Sequence, residues 1–367
     1  MKKALIEGAL AIHGGTPART RPNPPMFPGG MAMGEEEERA LVEVVRSHRL
    51  FRYYGPTEAP SKVDAFERAF AEVTGTRFAL ATSSCTGAIS ASLVAAGIGP
   101  GDEVIVPAYT FVASAAAVVA ANAIPVITEV DDTLTLDPEA VERNITPSTR
   151  AIMPVHMRGA ACQMDALMEI ARRHGLKVIE DAAQANGGSY KECPLGAIGD
   201  AGCFSMQFHK IITSGEGGVI TTDDRDLYLR TQSYHDTGNN WRASLDIPSP
   251  FPGVNLRMTE MCGALGLVQL GRRAGLLARM RALKKRIKEE IGDIPGLQFR
   301  RLADAAGDAA VCLIFFLPDK NTALKVSEAL HAEGIGAGTM GSKEVPDWHV
   351  YIHWHHILGK HGNNDKG

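Results

Sequence analysis

Lys210 stands in the run CFSMQFHKIITSGEGGVITTDD (residues 203–224), between apolar flanks and just ahead of a glycine cluster. Lysine is seldom fully buried unless it is paired, so this amine either reaches solvent or is held for chemistry. Other positions just after strand-like runs share that potential. Ser84, Cys85, Thr86 and Gly87 follow RFALAT and open a helix, where backbone N–H groups and hydroxyls make an anion site; a plain N-cap is the simpler structural account. Phe111 follows DEVIVP and is placed either to lie over a flat ring or to pack in the core. Asp181 ends the strand-like run KVIED. A carboxylate there needs a cationic partner, and a protonated pyridine nitrogen is one; capping a helix is its other role. Gln184, three residues on, is within reach of a ring hydroxyl. A phosphate site, a ring face, a ring-nitrogen partner and a lysine amine together describe pyridoxal 5'-phosphate (PLP). Its aldehyde forms a Schiff base with the lysine, and the carboxylate keeps the ring protonated as an electron sink.

These residues need a scaffold that brings strand ends together. From RFALAT onward the chain alternates strand and helix: CTGAISASLVAAG, DEVIVP, FVASAAAVVAAN, IPVITEV, RAIMPVH, MDALMEIARRHG and KVIEDA, then the strand pair AGCFSM and GGVITT. Continuous apolar strands alternating with helices predict a mostly parallel sheet covered on both faces, and ligands bind such sheets beyond the carboxyl ends of the strands. Ahead of it, GEEEERALVEVV and KVDAFERAFAEVTG read as helices, the first with acids in its opening turn where the dipole favours them. After it, residues 258–292 read as one long basic helix, AAVCLIFFLP as a strand and NTALKVSEALHAEG as a helix. The expected organisation is an arm over 1–33, a large PLP-binding domain over 34–258, and a connecting helix with a smaller α/β domain over 259–367.

Bulk properties narrow the class. The 367 residues are 45% hydrophobic and 22% charged with a formal net charge of −4, ordinary for a globular protein and without the basic excess that nucleic acid or membrane binding would need. The six cysteines form no C-x-x-C pair, so neither a disulfide framework nor a zinc knuckle is expected. Glu7 interrupts the apolar start, and Asn122 and Pro125 interrupt the apolar region 110–127. A cytoplasmic location, with no secretory leader or membrane span, is the expectation. His349, His353, His355, His356 and His361, with Asp347, make a histidine-rich stretch in which His349 and His353, four apart, have the spacing of a helical metal pair; packing or substrate contact is the preferred account, and no metal is expected.

Beyond these readings, GLKVIEDAAQANGGSYKECPLGAIGDAGCFSMQFHKIITSGEGGVITTDD closely resembles the DegT/DnrJ/StrS type of PLP-dependent sugar aminotransferase. So do GDEVIVPAYTFVAS, PVHMRGAACQMDAL and GVNLRMTEMCGALGLVQL, and the likeness runs from about residue 35 to about 360. It implies the aspartate-aminotransferase fold and a homodimer with shared active sites. It implies Lys210 as the Schiff-base lysine, Asp181 at the pyridine nitrogen, Gln184 near the ring hydroxyl and Phe111 stacked on the ring. Thr86, Ser205 and the amides around Cys85 would take the phosphate, Asn255 would reach the partner subunit's phosphate, and His156 would sit beside the cofactor. The chain departs from the usual S-G-T-A at Ser84–Gly87 and from the usual H-L-Y-G at His156–Gly159. The small domain is expected to be incomplete beside that of relatives.

The function expected is transfer of an amino group from glutamate or glutamine to a keto or aldehyde sugar. LFRYYG, PVHMRG and WHVYIHWHHI resemble the branch that aminates C8 of an oxidised 3-deoxy-octulosonate, LAIHGGTPART resembles the cyclitol branch, and nucleotide-linked keto-hexoses are the commonest substrates of the family. Two other readings stand beside it. One is a sugar dehydratase, in which histidine takes the place of the lysine; the other is a regulatory or sensor protein on the same fold.

Overall fold

The alternation of apolar strands and helices folds into one seven-stranded sheet. The computed structural model describes residues 9–22, 27–53, 61–238, 251–340 and 347–360. Eleven strands occur among them: β1 (Phe78–Thr82), β2 (Glu103–Pro107), β3 (Ile124–Thr128), β4 (Thr149–Ile152), β5 (Lys177–Asp181), β6 (Ser189–Tyr190), β7 (Cys193–Pro194), β8 (Ala201–Ser205), β9 (Gly218–Thr222), β10 (Gln298–Phe299) and β11 (Phe315–Phe316). The large sheet has the order β1-β9-β8-β5-β4-β2-β3. β9 pairs antiparallel with both neighbours, and every other pairing is parallel. Six carboxyl ends and the amino end of β9 therefore share one edge. β8 and β9 are buried along their whole length, as expected of strands covered on both faces.

The helices expected from the sequence form over Glu35–Ser47, Lys62–Thr74, Cys85–Ala95, Ala113–Ala120, Met164–His174, Glu260–Ile291 and Lys320–Ala332. Lys62–Thr74 ends where Gly75 takes a left-handed φ of 70°, the usual glycine stop. Phe70 packs edge-on between Phe66 and Phe204, at 5.6 and 4.9 Å, and all three are fully buried. Besides the one-turn helices Pro28–Met31 and His355–Leu358, two helices escape the sequence reading, Pro138–Asn144 and Arg225–His235. Both start at an aspartate cap, Asp137 and Asp224.

Two compact units result, cut differently from the sequence expectation. One comprises the described parts of Met1–Met26, Ile287–Arg300 and Ile314–Asp347; the other comprises those of Phe27–Arg286, Arg301–Leu313 and Trp348–Gly367. In the smaller unit, the Glu333 carboxylate accepts the N–H groups of Ala11 and Ala18, both at 2.8 Å. Residues 9–22 thus belong with helix Lys320–Ala332 rather than forming a separate arm. The expected strand AAVCLIFFLP shortens to β11, because its first half serves the larger unit. There Ala309 is buried and its N–H donates to the Gly159 carbonyl at 2.9 Å.

Glu37 fixes helix Glu35–Ser47 to the long helix Glu260–Ile291. Its carboxylate accepts from Arg272 Nε at 2.7 Å, Arg272 Nη2 at 3.0 Å, Gln269 Nε2 at 3.0 Å and Gly34 N–H at 2.9 Å. Burial alone would raise its pKa, but the bonds from Arg272, Gly34 and Gln269 outweigh it and hold the group at about 2. A folded-state pKa below the ordinary 4.5 stabilises the native state above the unfolded value, and that stability is lost as pH falls through the folded one. Glu37→Gln should cost about 1–3 kcal/mol in urea unfolding at neutral pH. The gap from wild type should narrow steadily as the pH is lowered from 5 towards 3; a pH-independent gap would contradict the assignment.

Candidate active site

The register of the sheet brings the predicted residues to one edge. Thr82 pairs with Gly218, and Gly218 with Ser205. Asp181 pairs with Cys203 one strand further on, and Val155 bridges to Asp181. Helix Cys85–Ala95 begins just past β1, and Phe111 lies in the loop after β2.

The helix start matches both readings of its sequence. Ser84 Oγ accepts the Gly87 N–H at 3.1 Å as an N-cap. The N–H groups of Cys85 and Thr86 make no hydrogen bond among the described residues, which leaves two aligned donors for an anion. Ser205 ends β8 close by in the register, its Oγ accepting the Gln207 N–H at 3.3 Å. Burial pushes the Cys85 thiol well above its ordinary pKa; Asp181 and Cys203 push the same way and Lys210 opposes them. The thiol stays neutral, which leaves the backbone N–H as the group Cys85 could offer an anion.

Lys210 is carried by the loop that joins β8 to β9. Met206 closes the base of that loop, donating its N–H to Gly217 O at 2.9 Å and accepting from Ser214 N–H at 2.9 Å and Thr213 Oγ1 at 2.9 Å. Lys210 is half-buried and forms no ion pair among the described residues. Asp181 is 6% exposed. Its Oδ2 accepts from Ser114 Oγ at 2.7 Å and its Oδ1 from Ala183 N–H at 3.0 Å, yet no cation accompanies it among the described residues. Ser114 is in turn bonded to Thr110 Oγ1 at 2.8 Å, so the Phe111 loop and the carboxylate are set by one chain of hydroxyls. Ser114 was missed by sequence reasoning; its signal was a lone hydroxyl inside the alanine-rich helix three residues after Phe111.

Gln184 Oε1 accepts the Arg158 N–H at 3.0 Å, which turns the amide's NH2 group into the outward donor. Phe111 is 47% exposed, a large aromatic left uncovered beside buried polar groups. Asn255 is exposed, its Oδ1 accepting the Arg257 N–H at 3.2 Å.

His156 departs from expectation. Its side chain has no accessible surface, so it offers nothing to a ligand entering from solvent. Nε2 lies 2.9 Å from Glu180 Oε2, and Nδ1 accepts the Cys162 N–H at 3.2 Å. With Nδ1 accepting an N–H, the ring carries its proton on Nε2, directed at Glu180. Glu180 also accepts the N–H groups of Gly196, Ile198 and Gly199 at 2.8, 2.7 and 2.6 Å. His156 therefore braces the strand behind Asp181 instead of touching a bound molecule. The histidine-rich stretch likewise forms no helical metal pair: His349 precedes the short turn Tyr351–His353, and no cluster of three metal-ligating side chains occurs among the described residues. His361 lies outside them.

A buried carboxylate lacking a cation, two orphan N–H groups, an uncovered aromatic and a lysine amine on one sheet edge fit PLP and define the class: a PLP-dependent enzyme fold of the aminotransferase type. The chain belongs to the DegT/DnrJ/EryC1/StrS aminotransferase family, whose pattern matches residues 31–349. The GDP-perosamine synthase of Caulobacter vibrioides is 47% identical over 213 residues, 56% of this chain and 56% of that protein. The L-glutamine:2-deoxy-scyllo-inosose aminotransferase of Streptomyces lividus is 44% identical over 232 residues, 63% of this chain and 54% of that protein. The chain thus spans little more than half the length of these curated relatives. Among solved structures, Spr1654 of Streptococcus pneumoniae in its PLP form has a TM-score of 0.74 at 26% identity, covering 86% of this chain and 83% of that one. No helix among the described residues is long and apolar enough to cross a membrane.

One glycine seats the anion site. A Cβ on Gly218 would fall 2.5 Å from the Ser84 carbonyl carbon and oxygen and 2.7 Å from Cys85 N, all backbone atoms that cannot swing aside. Gly218→Ala should destabilise the fold by about 1–3 kcal/mol and weaken PLP retention far more than a matched Gly99→Ala control, where a Cβ meets open space. Thermal unfolding and cofactor absorbance after dialysis check both; unchanged retention would remove Gly218 from the account.

Proposed function

We propose that this chain is a PLP-dependent aminotransferase that moves an amino group from glutamate or glutamine to the keto or aldehyde carbon of a sugar or cyclitol. The observation that carries the reading is the meeting, on one sheet edge, of Lys210, the uncompensated Asp181 carboxylate and the Cys85 and Thr86 N–H groups. The relatives support the substrate class, one being named for a GDP-linked perosamine and another for glutamine and a deoxy-inosose. An oxidised octulosonate is the finer acceptor reading, supported by PVHMRG and the stretch around His349; residues 54–55 of LFRYYG lie outside the described residues.

Bound PLP supplies an electron sink for breaking and making bonds at the carbon that carries nitrogen. Lys210 Nζ is the group that would hold it covalently and, once released, carry a proton as base and then acid. Asp181, kept in place by Ser114 and Ala183, would hold a proton on the ring nitrogen. Gln184 would donate from Nε2 to the ring hydroxyl, and Phe111 would cover one ring face and exclude water from it. Ser205, Thr86 and the Cys85 amide would hold the phosphate. The dehydratase alternative needs histidine in the role of Lys210. His209 is next door, but its Nδ1 lies 3.1 Å from Gln207 Nε2 and its ring packs 4.5 Å from Phe27, which favours the lysine. A non-catalytic sensor on the same fold would bind PLP without turning over a donor. A cytoplasmic location goes with the enzyme reading. We further read the working unit as a homodimer, supported by the exposure of Asn255 at a position that would serve a partner's phosphate.

Borohydride reduction of the PLP-loaded protein, followed by peptide mapping, should place the label on Lys210, and adding glutamate or glutamine beforehand should abolish it. A label on another lysine refutes the assignment, and one indifferent to both donors favours the sensor. Mixing inactive Lys210→Ala with inactive Asn255→Ala chains should restore part of the activity, since one site of a mixed dimer receives both wild-type residues. A strict monomer, or no rescue after verified exchange, would mean each chain builds its site alone.

A further inference from the structure

The loop that carries Lys210 is gripped from two directions. One grip is the one-turn helix Pro28–Met31, with Phe27 at its cap. The Phe27 ring lies 5.0 Å from that of Phe208 and 4.5 Å from that of His209, the two residues just before Lys210. Gly29 and Gly30 follow within the helix, although glycine is a poor helix former. Their use is close approach of one backbone to another. A Cβ on Gly29 would fall 2.8 Å from Ile212 Cα and 2.8 Å from Gln269 Oε1, and one on Gly30 would fall 2.6 Å from the Phe208 ring. The second grip is Gln269, a fully buried residue of the long helix. Its Nε2 donates to Glu37 Oε1 at 3.0 Å, and its Oε1 accepts the Thr213 N–H at 3.3 Å. An ionised carboxylate can only accept, so Glu37 fixes which way the amide points, and the oxygen is left facing the loop. These contacts fall on residues 208, 209, 212 and 213, on both sides of Lys210. Between them, Lys210 closes a turn by donating its N–H to Gln207 O at 3.0 Å.

We propose that Phe27 and Gln269 are positioning residues that clamp the Lys210 loop and so set where its amine stands over the sheet edge. The inference rests on the aminotransferase reading and deepens it. A lysine stem is flexible, and an amine that must leave its carbon and return to it in every cycle needs to come back to one place. Packing from rigid elements holds a reactive group in place. Here the elements lie behind the loop: Phe27 acts through Phe208 and His209, and Gln269 acts through Thr213. Gly29 lets the short helix come close enough for both contacts to form, and Glu37 keeps the Gln269 amide turned towards the loop.

Hydrogen–deuterium exchange of the full chain, with and without PLP, reads the loop directly. Phe27→Ala and Gln269→Leu should each speed exchange of the peptide 206–214 by about 5- to 10-fold, the factor for losing one ring contact or one net hydrogen bond. Phe27→Tyr keeps the ring and should exchange like wild type. In the PLP-loaded protein, the pH at which the cofactor absorbance changes reports the proton on the nitrogen that joins Lys210 to PLP. That pH should move by about 0.5 unit or more in Phe27→Ala and Gln269→Leu and return in Phe27→Tyr. Leu167→Ala removes a fully buried side chain from a different core cluster; it controls for lost stability and should move neither readout. Loop exchange that is unaltered in the folded variants, or raised equally in Leu167→Ala, would overturn the clamp. Faster exchange with an unmoved titration would reduce it to a packing contact and overturn the positioning role. Borohydride labelling of the same samples separates this claim from the reading it rests on. A label on Lys210 with both variants behaving like wild type refutes only the clamp. A label on another lysine, with loop exchange still raised in both variants and restored in Phe27→Tyr, refutes only the assignment of Lys210.

Discussion

The site depends on one reversal of chain direction. β9 is the antiparallel strand of the large sheet, inserted between β1 and β8. Because β8 ends where β9 begins, the loop between them stays on the carboxyl edge and cannot leave it. Ser205 and Gly218 are held opposite one another at its base, and Thr82 lies across from Gly218. Lys210 therefore stands over the edge at which the parallel strands deliver the helix start, Asp181 and the Phe111 loop. Gly218 lets the Ser84–Cys85 backbone close onto β9, bringing the anion-binding turn up to the lysine loop.

Within that frame, strand alternation assigns opposite tasks to neighbouring carboxylates. Successive side chains of a strand point to opposite faces, and Glu180 and Asp181 follow this rule. Glu180 turns to His156 and three backbone N–H groups, whose bonds together with the imidazole hold its pKa below the ordinary range against the opposing effect of burial. Its charge is thereby used up in structure. Asp181 is given a hydroxyl and one N–H but no cation. A buried anion so placed is costly unless a positive group joins it, and under the proposed function the ring nitrogen of PLP would meet that need. The same pair explains the fate of His156: the histidine braces Glu180 and makes no contact with Asp181's carboxylate.

The second layer of the site comes from segments distant in sequence. Ser114 and Thr110 reach Asp181 across the sheet edge, Arg158 reaches Gln184, and the strip around His349 lies along the Phe111 loop.

The sequence by itself determined the strands of the large sheet, most of its covering helices and the residues at the strand ends. Apolar periodicity and glycine stops are local properties, and a parallel sheet allows only one edge for chemistry. The placement of Lys210, Asp181, Gln184 and Phe111 at the carboxyl edge was legible because each lies within a few residues of a strand end. Only the tertiary structure decided the rest. Whether His156 meets a ligand or a buried glutamate depends on which face of the sheet it lands on, and its spacing from β4 does not reveal that. The division of residues 301–313 from 314–340 depends on which unit offers Ala309 a carbonyl, since that backbone N–H must be satisfied somewhere. The contacts of Ser114 with Asp181, of Arg158 with Gln184 and of His349 with Thr110 join segments tens to more than two hundred residues apart, a separation over which no local pattern carries information.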